Sequence, residues 1–433
     1  MPTRWRSFAT NLILLSVVTT LTLVVIDIVL ITTGLFPPVV DEGHPSVGWV
    51  GALPTGERVN ALCIEPATGS IVRFPRNEDG VRTTHPRVAF IDGSVGLRVA
   101  VGGDSHTEVC APNEEVHFGM TEAMLRSEGI AAGVYAFGAG KYSPLQAYLA
   151  LVPTLDAYTP EVMILNVYTG NDFYDMLRID DRPHFVATDT GYVIAPPVWY
   201  QSDPPGVRRV SRVLHVFRVL SDVTGARRVW VRVRYLQDVA REQGRGLRAV
   251  IGYMADLRKA SVPEAGYPQA LAAQFLNQQI FFHHFPGSER EGQRRLDALL
   301  ARVRVERPGM TLVMSPIPSY QLVLGKPTDS VLTRAIGRLP MTFEDGVALE
   351  ERLYQELRAS ATVAGWIFVD NLAALRDAGD PATLYNHFDY HIEPRASRII
   401  AAQQAAVLRS LASTPAARIS GGPPPRSLPP ATR

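Results

Sequence analysis

The chain has 433 residues, enough for one large domain or two ordinary ones, and its 46% hydrophobic and 20% charged residues exclude wholesale disorder. A formal net charge of +1 offers no field for a polyanion, so nucleic acid is not an expected partner. The two cysteines, Cys63 and Cys110, are too few for a disulfide scaffold and form no CxxC metal motif. They can pair once if the domain lies outside the cytosol.

Residues 1–10, with Arg4 and Arg6, are followed by a long apolar run from Asn11 to Phe36 that Pro37-Pro38 ends. A bilayer is crossed by ~20 apolar residues, and no Ala-x-Ala cleavage pattern follows, so a retained membrane anchor is expected at 11–36. The two arginines then stay cytoplasmic and the bulk of the chain is exported. Asp27 within this run reads as a protonated or interface-reaching side chain of a single span. Residues 37–95, rich in Gly and Pro, read as a linker with a small strand-and-loop segment.

From 96 to about 410 the pattern becomes alternating strands and helices. L-R-V-A-V from Leu97 is a strand, and the apolar spacing over 114–128 is helical. G-V-Y-A-F-G is a second strand, 144–155 a second helix, and P-E-V-M-I-L-N-V a third strand. M-T-L-V-M-S-P-I-P and W-I-F-V-D are two more strands, with a helix over 343–362 between them. Apolar strands alternating with helices imply a mostly parallel sheet covered by helices on both faces, a three-layer α/β/α fold. A basic insertion interrupts the rhythm at about 175–300. Its stretch around Arg209, Arg212 and Arg218 is an amphipathic helix, read as core-packed with a solvated basic face, the alternative being contact with an anionic membrane surface next to the anchor. The tail, 411–433, is Pro-rich and expected to be disordered.

Four segments close a strand or open a helix, and a parallel sheet would gather them at one edge. They are Gly103-Asp104-Ser105, the glycines around Gly140, Gly170-Asn171-Asp172, and Asp389-Tyr390-His391 before the last helical run. A serine needs a base within hydrogen-bond reach, which His391 supplies, and Asp389 can orient that imidazole. An attacked ester carbonyl becomes an oxyanion, and the N–H groups of Ser105 and Gly140 with the Asn171 amide are three donors for it. Asp104 reads as a structural hydrogen-bonding residue and Asp172 as a helix cap. His106 and His387 flank the site as loop histidines, and Cys110 reads as buried rather than nucleophilic. His283 and His284, with no third ligand at helical spacing, read as loop or packing residues rather than a metal site.

This ordered set resembles the SGNH/GDSL hydrolase superfamily, over about 70–178 and 310–408, and the resemblance implies that the mostly parallel sheet is flavodoxin-like. Asn77, Gly80 and Arg82 resemble a segment that precedes Gly-Asp-Ser in membrane-attached bacterial members. The usual acid and histidine have two residues between them; here only Tyr390 intervenes, and a main-chain carbonyl in the acid's place would leave a Ser–His dyad. The resemblance implies a serine esterase, anchored in the membrane with its catalytic domain outside the cytoplasm. It would cleave acyl esters, O-acetyl groups on envelope glycans among them, through an acyl-enzyme on Ser105, with no metal or other cofactor. Two alternatives share the residue set: an O-acyltransferase acting on envelope polysaccharide, and a catalytically inactive glycan-binding relative.

Overall fold

The computed structural model describes residues 42–44, 47–50, 59–64, 70–178, 182–197, 246–260, 276–326, 330–380, 383–386 and 390–413, and eight single positions between 11 and 25. The strands among them are β1 Glu42–His44, β2 Gly48–Val50, β3 Val59–Ile64, β4 Ile71–Arg76, β5 Leu97–Gly103, β6 Ala132–Gly138, β7 Val162–Tyr168, β8 His184–Thr188, β9 Gly191–Ala195, β10 Thr311–Ile317 and β11 Ile367–Phe368. Five form one sheet in the order β11-β10-β7-β5-β6, every pair parallel. Numbered within the sheet this is the order 2-1-3-4-5, the flavodoxin-like arrangement, and the order reverses between β5 and β7. The sequence pattern anticipated this sheet. It also anticipated the fifth strand as W-I-F-V-D, of which only Ile367 and Phe368 pair, with Val313 and Met314.

Side chains alternate between the two faces of each strand. Ala100, Tyr135, Met163, Leu165, Leu312 and Met314 join one buried cluster, which the Pro144–Tyr158, Ser288–Glu306 and Phe343–Val363 helices cover. Val99, Val101, Val134, Ile164 and Val313 join the other, under the His117–Ser127 and Pro394–Ala412 helices. Both faces are therefore apolar, and each strand reads as a continuous hydrophobic run. The Pro144–Tyr158 helix starts where expected because Ser143 and Gln146 form a capping box and Pro144 takes the first helical position. The helix expected over 114–128 is split: Asn113–Glu115 forms one 3₁₀ turn, and extended Val116 separates it from the main helix.

The Ser288–Glu306 helix begins inside the stretch read as an insertion, yet Leu296, Leu299, Leu300 and Val303 are fully buried against the sheet. The segment before β5 is joined to the sheet as well: Arg82 bridges antiparallel to Ala136 of β6. His283 and His284 close the Asn277–His284 helix rather than a loop, and His284 Nε2 lies 2.8 Å from Asp256. Of the expected anchor at 11–36, only Asn11, Leu14, Leu15, Val18, Thr19, Leu21, Thr22 and Val25 are described, all helical. No helix among the described residues is long and apolar enough to cross a membrane. The cytoplasmic end 1–10, the basic helix at 209–220 and the tail beyond Ser413 lie outside the described residues.

Candidate active site

Gly102 and Gly103 end β5 because side chains there would collide with the layers around it. A Cβ on Gly103 would stand 2.1 Å from Thr107 Oγ1 and 3.1 Å from Asn166 Cβ, so the loop can fold back onto β7 only over a glycine. Asp104 then closes the turn: its Oδ1 accepts the His106 N–H at 2.9 Å, and its carbonyl accepts Thr107 and Glu108 N–H at 3.1 Å each. This is the structural role read for it. Half-buried Ser105 sits at the crest of this loop. Burial pushes the Asp104 carboxyl up to about 7, against the opposing pull of the His106 hydrogen bond and the His391 charge.

His106 departs from its reading as an exposed loop histidine. It is 3% exposed, stacked on the Tyr168 ring at 3.9 Å, and its other neighbour is the His391 ring at 4.7 Å. Burial, and then the charges of His391 and His117, hold its pKa well below the usual imidazole value, so it is neutral at physiological pH. His391 is thus carried to the serine loop from a position far along the chain. Tyr390, in the left-handed region at φ 56°, donates its N–H to the Asn386 carbonyl at 2.8 Å. Asn386 in turn donates to the His391 carbonyl at 2.8 Å, which fixes the backbone bearing the imidazole. Asp389 and His387 lie outside the described residues.

β7 delivers the third segment. Asn171 heads the short Asp172–Asp175 helix, and its side chain makes no capping bond; its Oδ1 is buried without a partner among the described residues. Asp172 does not cap that helix either. Its Oδ2 reaches back to accept the Tyr168 N–H at 2.7 Å, which draws the 168–172 turn tight. Burial, together with the nearby Asp104 and Asp175 carboxyls, raises the Asp172 pKa well above its ordinary value. Gly140, the expected backbone donor from the β6 end, is exposed with open space beside it. The glycine that touches the serine loop is Gly138, whose Cβ would come within 2.7 Å of the Asp104 carbonyl.

A shallow depression with room for about one water adjoins these residues; Tyr168, Gly170, Tyr390, Tyr320, Gln279 and Gln321 are among its walls. Beneath the serine loop runs a buried polar chain that sequence reasoning missed. Asn166 Nδ2 donates to Thr107 Oγ1 at 2.9 Å and lies 3.3 Å from His117 Nε2. Gln404 Nε2 reaches Asn166 Oδ1 at 3.4 Å and Ser315 Oγ at 2.9 Å, and Asn371 Nδ2 donates to Ser315 Oγ at 3.0 Å. The chain ties the serine loop through β7 and β10 to the helix that follows His391. Its signal was present in the sequence: Asn166 and Ser315 are polar residues set inside otherwise apolar strands.

Cys63 and Cys110, whose pairing the sequence left open, form a disulfide with Cα atoms 5.8 Å apart. Arg82 supports the same loop. Its fully buried guanidinium donates to Asn113 Oδ1 at 2.7 Å, to the Val109 carbonyl at 2.8 Å and to the Ala111 carbonyl, and it lies 4.0 Å over the Phe74 ring. Burial lowers its pKa to about 10, so the charge persists.

No family profile and no curated protein matches the chain. Among solved structures, the acetyl xylan esterase AlAXEase aligns with 72% of this chain and 100% of its own, at 10% identity and a TM-score of 0.35. A phospholipase A1 from Streptomyces albidoflavus NA297 covers 73% of this chain and 99% of its own, at 11% identity and 0.35. A lipase/acylhydrolase from Enterococcus faecalis covers 72% and 96%, at 8% identity and 0.34. Overlap this slight fixes neither activity nor substrate.

Proposed function

We propose that the chain is an exported serine esterase, held to the membrane through residues 11–36, that removes acyl groups, O-acetyl groups on envelope glycans among them. One observation carries this reading: the ends of β5 and β7 and the turn before the last helix meet, with His106 stacked on Tyr168 at 3.9 Å and packed against His391 at 4.7 Å. In the proposed mechanism Ser105 attacks the acyl carbonyl while His391 takes its proton. The Ser105 and Gly140 N–H groups and the Asn171 amide receive the oxyanion. The alcohol leaves with the proton from His391, and water then releases the acyl group by the same steps in reverse order. Asp389 is assigned the orienting role toward His391, as the residue pattern implies. Anchoring is supported by the exposed apolar row Leu14, Val18, Leu21 and Val25 on one helical face.

A fluorophosphonate ester probe tests the reading. Labelling of the folded chain that disappears in Ser105→Ala is expected; a folded wild-type chain that takes no label would leave a glycan-binding protein instead. Transfer to a glycan hydroxyl in preference to water, measured with an acetyl donor, would make it an acyltransferase.

A further inference from the structure

The Asn171 side chain makes no capping bond, and its Oδ1 has no partner among the described residues. Its placement therefore depends on the backbone of the 168–172 turn. That turn is clamped at Thr169, whose polar groups are all engaged by other elements. The Thr169 N–H donates to the Ile317 carbonyl at 3.0 Å, and its carbonyl accepts the Gln278 amide at 2.8 Å. Its hydroxyl donates to the Glu350 carboxyl. At Gly170, the next residue, a Cβ would stand 2.6 Å from the Tyr168 ring, so the turn passes that ring only with a glycine.

Glu350 is the unexpected member of this clamp. It lies within the Phe343–Val363 helix and is 1% exposed. Besides the Thr169 hydroxyl it accepts the Ser319 N–H at 3.2 Å and the Ser319 hydroxyl at 2.6 Å, and none of these partners is a cation. A carboxyl buried without a counter-charge is costly, and an apolar side chain would fill the same helix position without that cost. Its donors mark what it holds. Thr169 follows β7 and Ser319 follows β10, so one carboxyl joins the ends of two paired strands at the edge that presents Asn171. The His391 turn is joined to the β10 end by a bond that bypasses the carboxyl: the Tyr385 hydroxyl donates to the Pro318 carbonyl at 2.6 Å. Loss of the carboxyl should therefore fall on the Asn171 side.

We infer that Glu350 is a positioning residue that acts through Thr169 to set the turn aiming the Asn171 amide at the oxyanion. This rests on the esterase reading above. The test is kcat and KM on p-nitrophenyl acetate, per active site counted by complete fluorophosphonate labelling, which removes the effect of unfolded enzyme. Glu350→Leu is expected to lower kcat by about tenfold or more with KM little altered. Glu350→Gln keeps an oxygen for the Thr169 hydroxyl and should recover most of that loss. In an Asn171→Ala background Glu350→Leu is expected to cost less than about twofold, because no amide is left to aim. Thr169→Val, which removes the hydroxyl at nearly constant volume, should repeat the pattern and decides the matter if Glu350→Leu does not fold. Losses that multiply in the double variants, no recovery with Gln, or an Asn171→Ala chain with wild-type kcat would each overturn the inference while leaving the esterase intact. A wild-type chain that neither takes the probe nor cleaves the ester would sink the esterase reading, and this inference with it.

Discussion

Asn171 separates two roles that its position would otherwise confuse. An asparagine at a helix N-terminus ordinarily accepts a backbone N–H from the first turn, and losing that bond costs ~1 kcal/mol of stability. Asn171 makes no such bond. Asn171→Ala is therefore expected to leave the unfolding midpoint nearly unchanged while lowering kcat on p-nitrophenyl acetate by about 10²–10³, with KM little altered. A stability loss without the kcat loss would return the residue to a turn role. His106 shows the limit of reading single residues. A histidine after a serine in a glycine turn gives no sign of burial, because its burial depends on Tyr168 and His391 arriving from elsewhere.

The serine loop is held by elements that the sequence shows unevenly. The strands were legible because each is an apolar run, ended by glycine in β5 and β6, and the Pro144–Tyr158 helix because its capping box is written in Ser143, Pro144 and Gln146. The Ser288–Glu306 helix was hidden in the insertion, since its charged face matches the basic stretch before it although its other face is core. The β3–β4 hairpin was not legible as support for the site: it acts through the bond from Cys63 to Cys110, five positions after Ser105, and nothing in the spacing dictates that pairing. A crosslink closing a separation of 47 residues constrains the unfolded chain by up to about 4 kcal/mol. Cys63→Ser with Cys110→Ser is expected to lower stability by about 2–4 kcal/mol in denaturant melts. It should also lower esterase activity below the unfolding temperature, because the 105–110 loop loses one tether while Arg82 keeps the other. A double variant with wild-type stability would show the bond to be idle.

For the molecule as a whole, the strand order places the ends of β5 and β7 at the reversal point of the sheet, where open α/β folds form crevices. A parallel sheet follows from the alternation of strands and helices, and its strand order does not. What alternation cannot give is the set of ionisable groups that the gathered layers enclose, and these set the response to pH. Asp104 is raised by burial from 3.8 to about 7, so between those values the folded state holds a proton that the unfolded chain has released, and stability falls as pH rises. His117 is lowered by burial from 6.5 to about 4, so between those values the unfolded chain holds the extra proton, and stability falls as pH drops. The two groups act in opposite directions over nearly the same window, and the wild-type profile alone would conceal both. Single substitutions separate them. In urea melts between pH 4.5 and 8, Asp104→Asn is expected to gain on wild type steadily as pH rises. His117→Gln should gain on wild type as pH falls from 6.5, by about 2.5 kcal/mol at pH 4.5. A His117→Gln deficit that stayed constant with pH would mean that the imidazole titrates in the folded protein as it does in water, and that the enclosure drawn around Asn166, Gln404 and His117 is open to solvent.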